Sequence, residues 1–309
     1  MNIKQIIRNL TLATTLVTSL AACQTQPMMY QPQLNQMNPM MAQSRFQARS
    51  NPSISRQNLS QILPLLKQLY ATEFADALEN GQPMPDLQPI LEQHGPAAFA
   101  LLSQDRQARE ELYPLSDQMV IREFSKPSPP DNVPPINAQE LQSLLATMKP
   151  GDIILCGNNG SFIHGALYLG NGEIVHSLAT QADMPDRFRG VVREALSTYT
   201  ARSERDTFVV LRAAQASQRD LQQAMGFAVQ QVGKGYDSLF LLASDERFYC
   251  TELVWHALRQ MSRAPRVFPQ KVKYGWEMVN VEDFMDSPDL STVWERNYKR
   301  PAPGQRHRY

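Results

Sequence analysis

The chain has 309 residues, sets 30 Lys and Arg against 30 Asp and Glu, and carries three cysteines. Zero net charge without basic runs interleaved with aromatics excludes an electrostatic nucleic-acid binder, and it implies no steering of strongly charged partners. Three cysteines are too few for a disulfide framework. There is no paired zinc-ligand spacing, HExxH, glycine-rich phosphate loop or G-x-S-x-G elbow, so no metal or cofactor is expected.

At the N-terminus, Lys4 and Arg8 precede LTLATTLVTSLAA. That stretch is long enough for a signal-peptide core and short for a membrane span. It ends in Leu20-Ala21-Ala22-Cys23, which resembles a bacterial lipobox. The resemblance implies that residues 1–22 are removed and that Cys23 is lipidated, anchoring the protein to a membrane. Gln24 follows instead of an inner-membrane-retaining aspartate, so the expected place is the periplasmic side of the outer membrane. Residues 23–54, including QPMMYQPQLNQMNPMM, show neither helical nor strand periodicity and read as a disordered tether. Thioether-rich segments can bind copper, but the methionines here lack a regular Met-x-x-Met repeat.

Residues 55–125 repeat apolar side chains at three- and four-residue steps and form a helical region of unknown role. Within it PDLQPILEQ and PAAFALLSQ predict two short helices. KPSPPDNVPPI, 126–136, is a proline-rich linker. Residues 137–300 then carry the signals of one catalytic domain. Asn137 with Glu140, and Ser217 with Asp220, are capping boxes at helix starts. FVVLRAA is a strand, and Gly233 and Gly235 end the second capped helix before Tyr236-Asp237. The whole predicts an α+β domain, an antiparallel sheet packed against helices.

Two segments carry chemistry. In YCTELVWHAL, Cys250 stands at the mouth of a helix that continues through Leu253, Val254, Ala257 and Leu258. There the helix dipole and unpaired N–H groups favour a thiolate near neutral pH and could cradle an oxyanion. In FIHGALYLGNGEIVHS, two apolar runs flank Gly170-Asn171-Gly172 as a hairpin, with His164 and His176 on its strands. A two-residue loop pairs Leu167 with His176 and sends the histidines to opposite faces. A three-residue loop with Gly172 left-handed pairs Ala166 with His176 and puts both rings on one face. The functional reading requires the odd count.

KPGDIIL followed by HGALYLGNGEIVHS resembles the strand region of NlpC-type papain-like cell-wall cysteine peptidases, including the spacing of their histidines. GKGYD before FYCTELVW is similar to that family's cysteine-helix half. The halves stand in swapped order, which resembles the circularly permuted YiiX/YebB-like branch, whose relatives include the lecithin–retinol acyltransferases. VNVEDFMDSPDLSTVW resembles the end of those proteins. The resemblance implies a circularly permuted papain-like domain with Cys250 as nucleophile, His164 as general base and His176 orienting it. Tyr236 then falls at the position whose phenol helps bind the oxyanion, with Tyr249 beside it. Tyr249-Cys250-Thr251-Glu252 replaces the Asp-Cys-Ser-Gly of the unpermuted peptidases.

These readings predict a lipid-anchored cysteine hydrolase cleaving amide bonds in peptidoglycan stem peptides. A lipid acyl hydrolase or acyltransferase of the same fold is the alternative, distinguished by an apolar rather than a polar groove. A non-catalytic envelope-binding lipoprotein is the third reading. Bland roles are assigned to Glu252, a first-turn carboxylate capping the helix, to Cys156, a small buried residue, and to His256, a helix-surface or groove residue.

Overall fold

The computed structural model describes residues 63, 64, 67, 88–124, 133–179, 190–203, 205–242, 245–271 and 277–298. The signal segment, Cys23, the tether and the greater part of the linker lie outside the described residues.

Both capping boxes form. Asn137 accepts from the Glu140 N–H at 2.9 Å, and Glu140 accepts from the Asn137 N–H at 3.0 Å. Each bond satisfies a donor left orphaned at the start of α3, Ala138–Thr147. Ser217 and Asp220 do the same for α5, Gln218–Gln230.

The sheet is wholly antiparallel and ordered β4-β3-β2-β1-β5-β8. Its strands are β1 Ile153–Asn158, β2 Ser161–Gly170, β3 Glu173–Leu178, β4 Gly190–Ala195, β5 Thr207–Ala213 and β8 Leu290–Arg296. Alternation along the strands splits the apolar side chains between two faces. Ile153, Leu155, Leu167, Val175, Val209 and Leu211 pack with Ala224 and Ala228 of α5 and with Leu253, Val254 and Ala257 of α6, Cys250–Leu258. Ile154, Cys156, Ala166, Tyr168, Ile174 and Phe208 instead meet Leu144 of α3, together with Leu196 and Tyr199 of α4, Leu196–Ser203. At the entry to β1, Asp152 takes a two-pronged ion pair from Arg212 of β5, at 2.7 and 2.6 Å, and Arg212 also reaches the Thr147 carbonyl at 3.0 Å. The buried carboxylate thus locks the junction between α3 and the sheet. A short pair, β6 Gln270–Lys271 and β7 Glu277–Met278, precedes α7, Val281–Met285.

The hairpin keeps the required register by a different device. Leu167 pairs with Val175 and Tyr168 with Ile174, so Ala166 stands opposite His176. The next pair is Gly170 with Glu173, which leaves Leu169 as an extra residue on β2. The loop itself has two residues, Asn171 and Gly172, both left-handed at φ 53° and 78°, as the tightest hairpin turn demands. The odd count therefore comes from a β-bulge in the strand and not from a three-residue loop.

The helical region contains α1, Gln88–Gln104, and α2, Arg106–Phe124. Where two short helices are predicted, α1 runs unbroken through Pro96. An interior proline costs about 3 kcal/mol. Ala98, Leu101 and Leu102 of α1 are buried with Ala108, Leu112 and Tyr113 of α2 and with Leu239 and Leu241 of the catalytic domain. Burial at roughly 1.5–3 kcal/mol for each large side chain outweighs the proline. Among the described residues no helix is long and apolar enough to cross a membrane.

Candidate active site

β2 and β3 bring the two histidines together. His164 Nε2 lies 2.7 Å from His176 Nδ1, with the rings edge to face. The far nitrogen of His176, Nε2, lies 2.8 Å from Glu194 Oε1 on β4. Glu194 is absent from the sequence expectations. It sits two pairs along from His176 in the β3–β4 register, where Ile174 faces Glu194 and His176 faces Val192, and so on the same face of the sheet.

This row fixes the tautomers. An ionised Glu194 only accepts, so His176 Nε2 carries the hydrogen and His176 Nδ1 of the neutral ring accepts. His164 Nε2–H must then donate to it, which leaves the lone pair of His164 on Nδ1. The nitrogen through which His164 can act as a base is thereby assigned. Replacing Glu194 with Ala is expected to lower kcat/KM by about 10²-fold, the scale of a misplaced general base. Gln, whose carbonyl still accepts from His176, should restore most of the loss. Equal activities of the Ala and Gln variants would show that the row does not set the tautomer.

Tyr199 holds the pair from α4. Its ring lies 5.3 Å from that of His164 and 5.0 Å from that of His176. Its hydroxyl sits between Cys156 Sγ at 3.4 Å and Arg205 Nε at 3.2 Å. Cys156 is fully buried, pairs with His164 across the β1–β2 ladder, and has its thiol pKa raised by burial.

Cys250 is the first residue of α6, and Tyr249 occupies the N-cap. Burial, at 1% exposure, is the larger influence on the thiol and pushes its pKa up to about 11. The N–H groups of Gly165 and Thr251 pull in the opposite direction. This runs against the expectation of a thiolate near neutral pH: desolvation outweighs the hydrogen bonds that the thiol accepts at the helix mouth. Gly165 follows His164 in β2, and a Cβ there would come within 3.2 Å of the Thr251 side chain. The absence of a side chain lets the mouth of α6 approach the strand that carries His164.

Tyr236 is buried in a cluster with Phe240, Tyr249, Met278, Ala179 and Val120, and its phenol pKa is raised by burial first and by the nearby Cys250 second. The Tyr249 hydroxyl accepts from the Val279 N–H at 2.9 Å and so anchors the segment after β7. Glu252 caps as expected, accepting from the Tyr249 N–H at 3.1 Å. Its other oxygen lies 3.6 Å from His256 Nε2, and neither atom has a hydrogen-bond partner. Burial raises the Glu252 pKa and lowers that of His256 to about 4, so both shifts work against an ion pair at this contact. His256 is half-buried, its side chain 24% exposed, and its ring packs among Phe227, Phe248 and Trp255. Among the described residues no group of three or more His, Cys, Asp or Glu is placed to hold a metal ion.

The family model of permuted papain-like amidase enzymes, the YaeF/YiiX type, matches residues 141–294. A solved structure described as the metalloprotein YiiX from Escherichia coli O157:H7 is 21% identical with a TM-score of 0.39; the match covers 50% of this chain and 99% of that one. No curated protein matches the chain. The matched segment contains the hairpin, Glu194, Tyr236, Cys250 and the six strands of the sheet from β1 to the middle of β8. Across residues 141–294 the chain belongs to the permuted papain-like amidase family, and its catalytic domain is an amidase-type hydrolase.

Proposed function

We propose that the chain is a cysteine amidase acting on peptidoglycan stem peptides from a lipid anchor at Cys23. The observation that carries the reading is the Glu194–His176–His164 row ending beside Gly165, whose N–H acts on the Cys250 thiol. His164 Nδ1 takes the thiol proton as sulfur adds to the amide carbonyl. The oxyanion falls at the mouth of α6, within the surroundings of Tyr236. Collapse expels the amine, which receives the proton from His164, and leaves a thioester. Water, deprotonated by the same nitrogen, then releases the acid and restores the thiol.

The test is to incubate the protein with peptidoglycan fragments and, separately, with phospholipids in ¹⁸O-water. Mass spectrometry should find cleaved stem peptides with one ¹⁸O in the new carboxyl group. Folded protein that turns over neither substrate would favour an envelope-binding lipoprotein.

One observation favours a second reading, a lipid acyl hydrolase or acyltransferase. The residues gathered near Cys250 are aromatic and apolar, Tyr236, Phe240, Tyr249 and Met278 among them. Such surroundings suit an acyl chain. Release of fatty acid, with muropeptides left intact, would establish that reading against the first.

The anchor is tested separately. Wild-type protein should carry an acyl mass at Cys23 and fractionate with the outer membrane, whereas Cys23→Ser should be released by high salt. A coil of about thirty residues spans on the order of 30 Å, so a chain beginning at residue 55 should remain soluble and active on dissolved substrate. Wild-type protein without an acyl mass would end the anchor proposal.

A further inference from the structure

The matched family segment begins at residue 141, yet the loop that delivers Cys250 is gripped by α2, which lies wholly outside that segment. One stripe of α2 makes the contacts. Arg106 pairs with Glu246 at 2.8 Å. Tyr113 donates its hydroxyl to Asp237 Oδ1 at 3.1 Å, and the Arg247 guanidinium stacks on its ring at 3.8 Å. Ser116 donates to the Ser238 carbonyl at 2.7 Å, and Asp117 accepts from the Ser238 hydroxyl and from Arg247 at 3.2 Å. Val120 packs into the cluster that holds Tyr236, Phe240 and Tyr249. Positions 106, 113 and 120, with 116 and 117, recur at helical spacing, so a single face of α2 meets both flanks of the loop.

Asp237 is the centre of that grip. It is fully buried and accepts from the Leu239 N–H at 2.9 Å and the Leu241 N–H at 2.8 Å, curling the loop around its carboxylate. Phe240, at the tip of this curl, is held left-handed at φ 54°, a conformation a phenylalanine adopts only when its surroundings impose it. The Tyr113 hydroxyl is the bond from α2 to that carboxylate. Tyr236 directly precedes Asp237 and stands in the field of Cys250.

We propose that the α1–α2 pair is a positioning element of the active site: through Tyr113 on Asp237 it fixes the 236–241 loop and so holds the Tyr236 phenol beside Cys250. The role rests on the reading of Cys250 as the nucleophile. It explains why helices outside the family segment bury Leu239 and Leu241 in their own core.

The test uses the full chain and needs no substrate. The rate at which iodoacetamide modifies Cys250 is measured by peptide mass spectrometry at pH 9 for wild type, Tyr113→Phe, Tyr236→Phe and the double variant. Lys67→Ala, which removes the exposed Lys67–Glu111 pair, is the control. Phenylalanine keeps the packing of Tyr113 and removes its bond to Asp237. Tyr113→Phe should raise the rate at least threefold, because a loosened loop uncovers a thiol that is 1% exposed. The control should match wild type. Tyr113→Phe added to Tyr236→Phe should produce no further change, since the first acts through the second. Ser116→Ala, which removes the next contact on the same loop, should shift the rate in the same direction. Wild-type rates in both Tyr113→Phe and Ser116→Ala, or additive effects in the double variant, would overturn the proposal. Retention of amidase activity by Cys250→Ala would instead remove the nucleophile reading, leaving the alkylation comparison to judge the grip itself.

Discussion

Cys250→Ala, which removes the proposed nucleophile, is expected to abolish turnover, with kcat falling at least about 10⁴-fold, because the neighbouring hydroxyls of Thr251 and Tyr249 are both committed to the Val279 backbone. His164→Ala should fall as far, since its Nδ1 is the nitrogen left to accept the proton once Nε2 is committed to His176. His176→Ala should leave a weak activity: the base survives, but its tautomer and orientation are no longer imposed. Cys156→Ser should be tolerated. Serine keeps a partner for the Tyr199 hydroxyl, which lies 3.4 Å from the present sulfur. Activity is followed on purified protein, with circular dichroism to establish folding. A folded but inactive Cys156→Ser variant, or an active Cys250→Ala variant, would require a different nucleophile.

The second large effect is on pH. With its thiol pushed to about 11, Cys250 is ionised in about one molecule in ten thousand at pH 7. Alkylation of Cys250 should therefore accelerate about tenfold per unit between pH 7 and pH 9, without a plateau. Cys156, also raised by burial and wholly inaccessible, should react more slowly throughout. The sign follows from desolvation, which penalises the charged sulfur and so delays its formation to higher pH. On the proposed mechanism, catalysis at neutral pH then needs the proton to leave as the carbon–sulfur bond forms, with His164 acting as a base and not as a counter-ion. A plateau in alkylation below pH 8 would point to a preformed thiolate–imidazolium pair.

The parts legible in the sequence are those set by local rules. Asn137 with Glu140 and Ser217 with Asp220 announce their helices because capping is completed within four residues. The facing of His164 and His176 follows from strand parity, which a three-residue loop and a bulge at Leu169 satisfy equally, so the sequence specifies the register without choosing between the two devices. Glu194 was not legible, because its role depends on β4 pairing beside β3, and nothing in GVVREA marks a glutamate aimed at a neighbouring strand. The thiol's raised pKa was likewise hidden, since the dipole is a local property of α6 whereas desolvation comes from everything packed over it. Pro96 marks a helix break in the sequence and not in the fold for the same reason: its cost is local and its compensation is tertiary.

The order of the halves also has a consequence for biosynthesis. The histidine hairpin closes over only a dozen positions, whereas Cys250 meets Gly165 across more than eighty. Short-range contacts form early and long-range ones late, because the larger loop must be closed first. A nascent chain thus displays its base pair long before its thiol has a place beside it. On the proposed mechanism, hydrolytic competence arrives with the last docking event, so an incompletely folded molecule has no thiol in place beside Gly165.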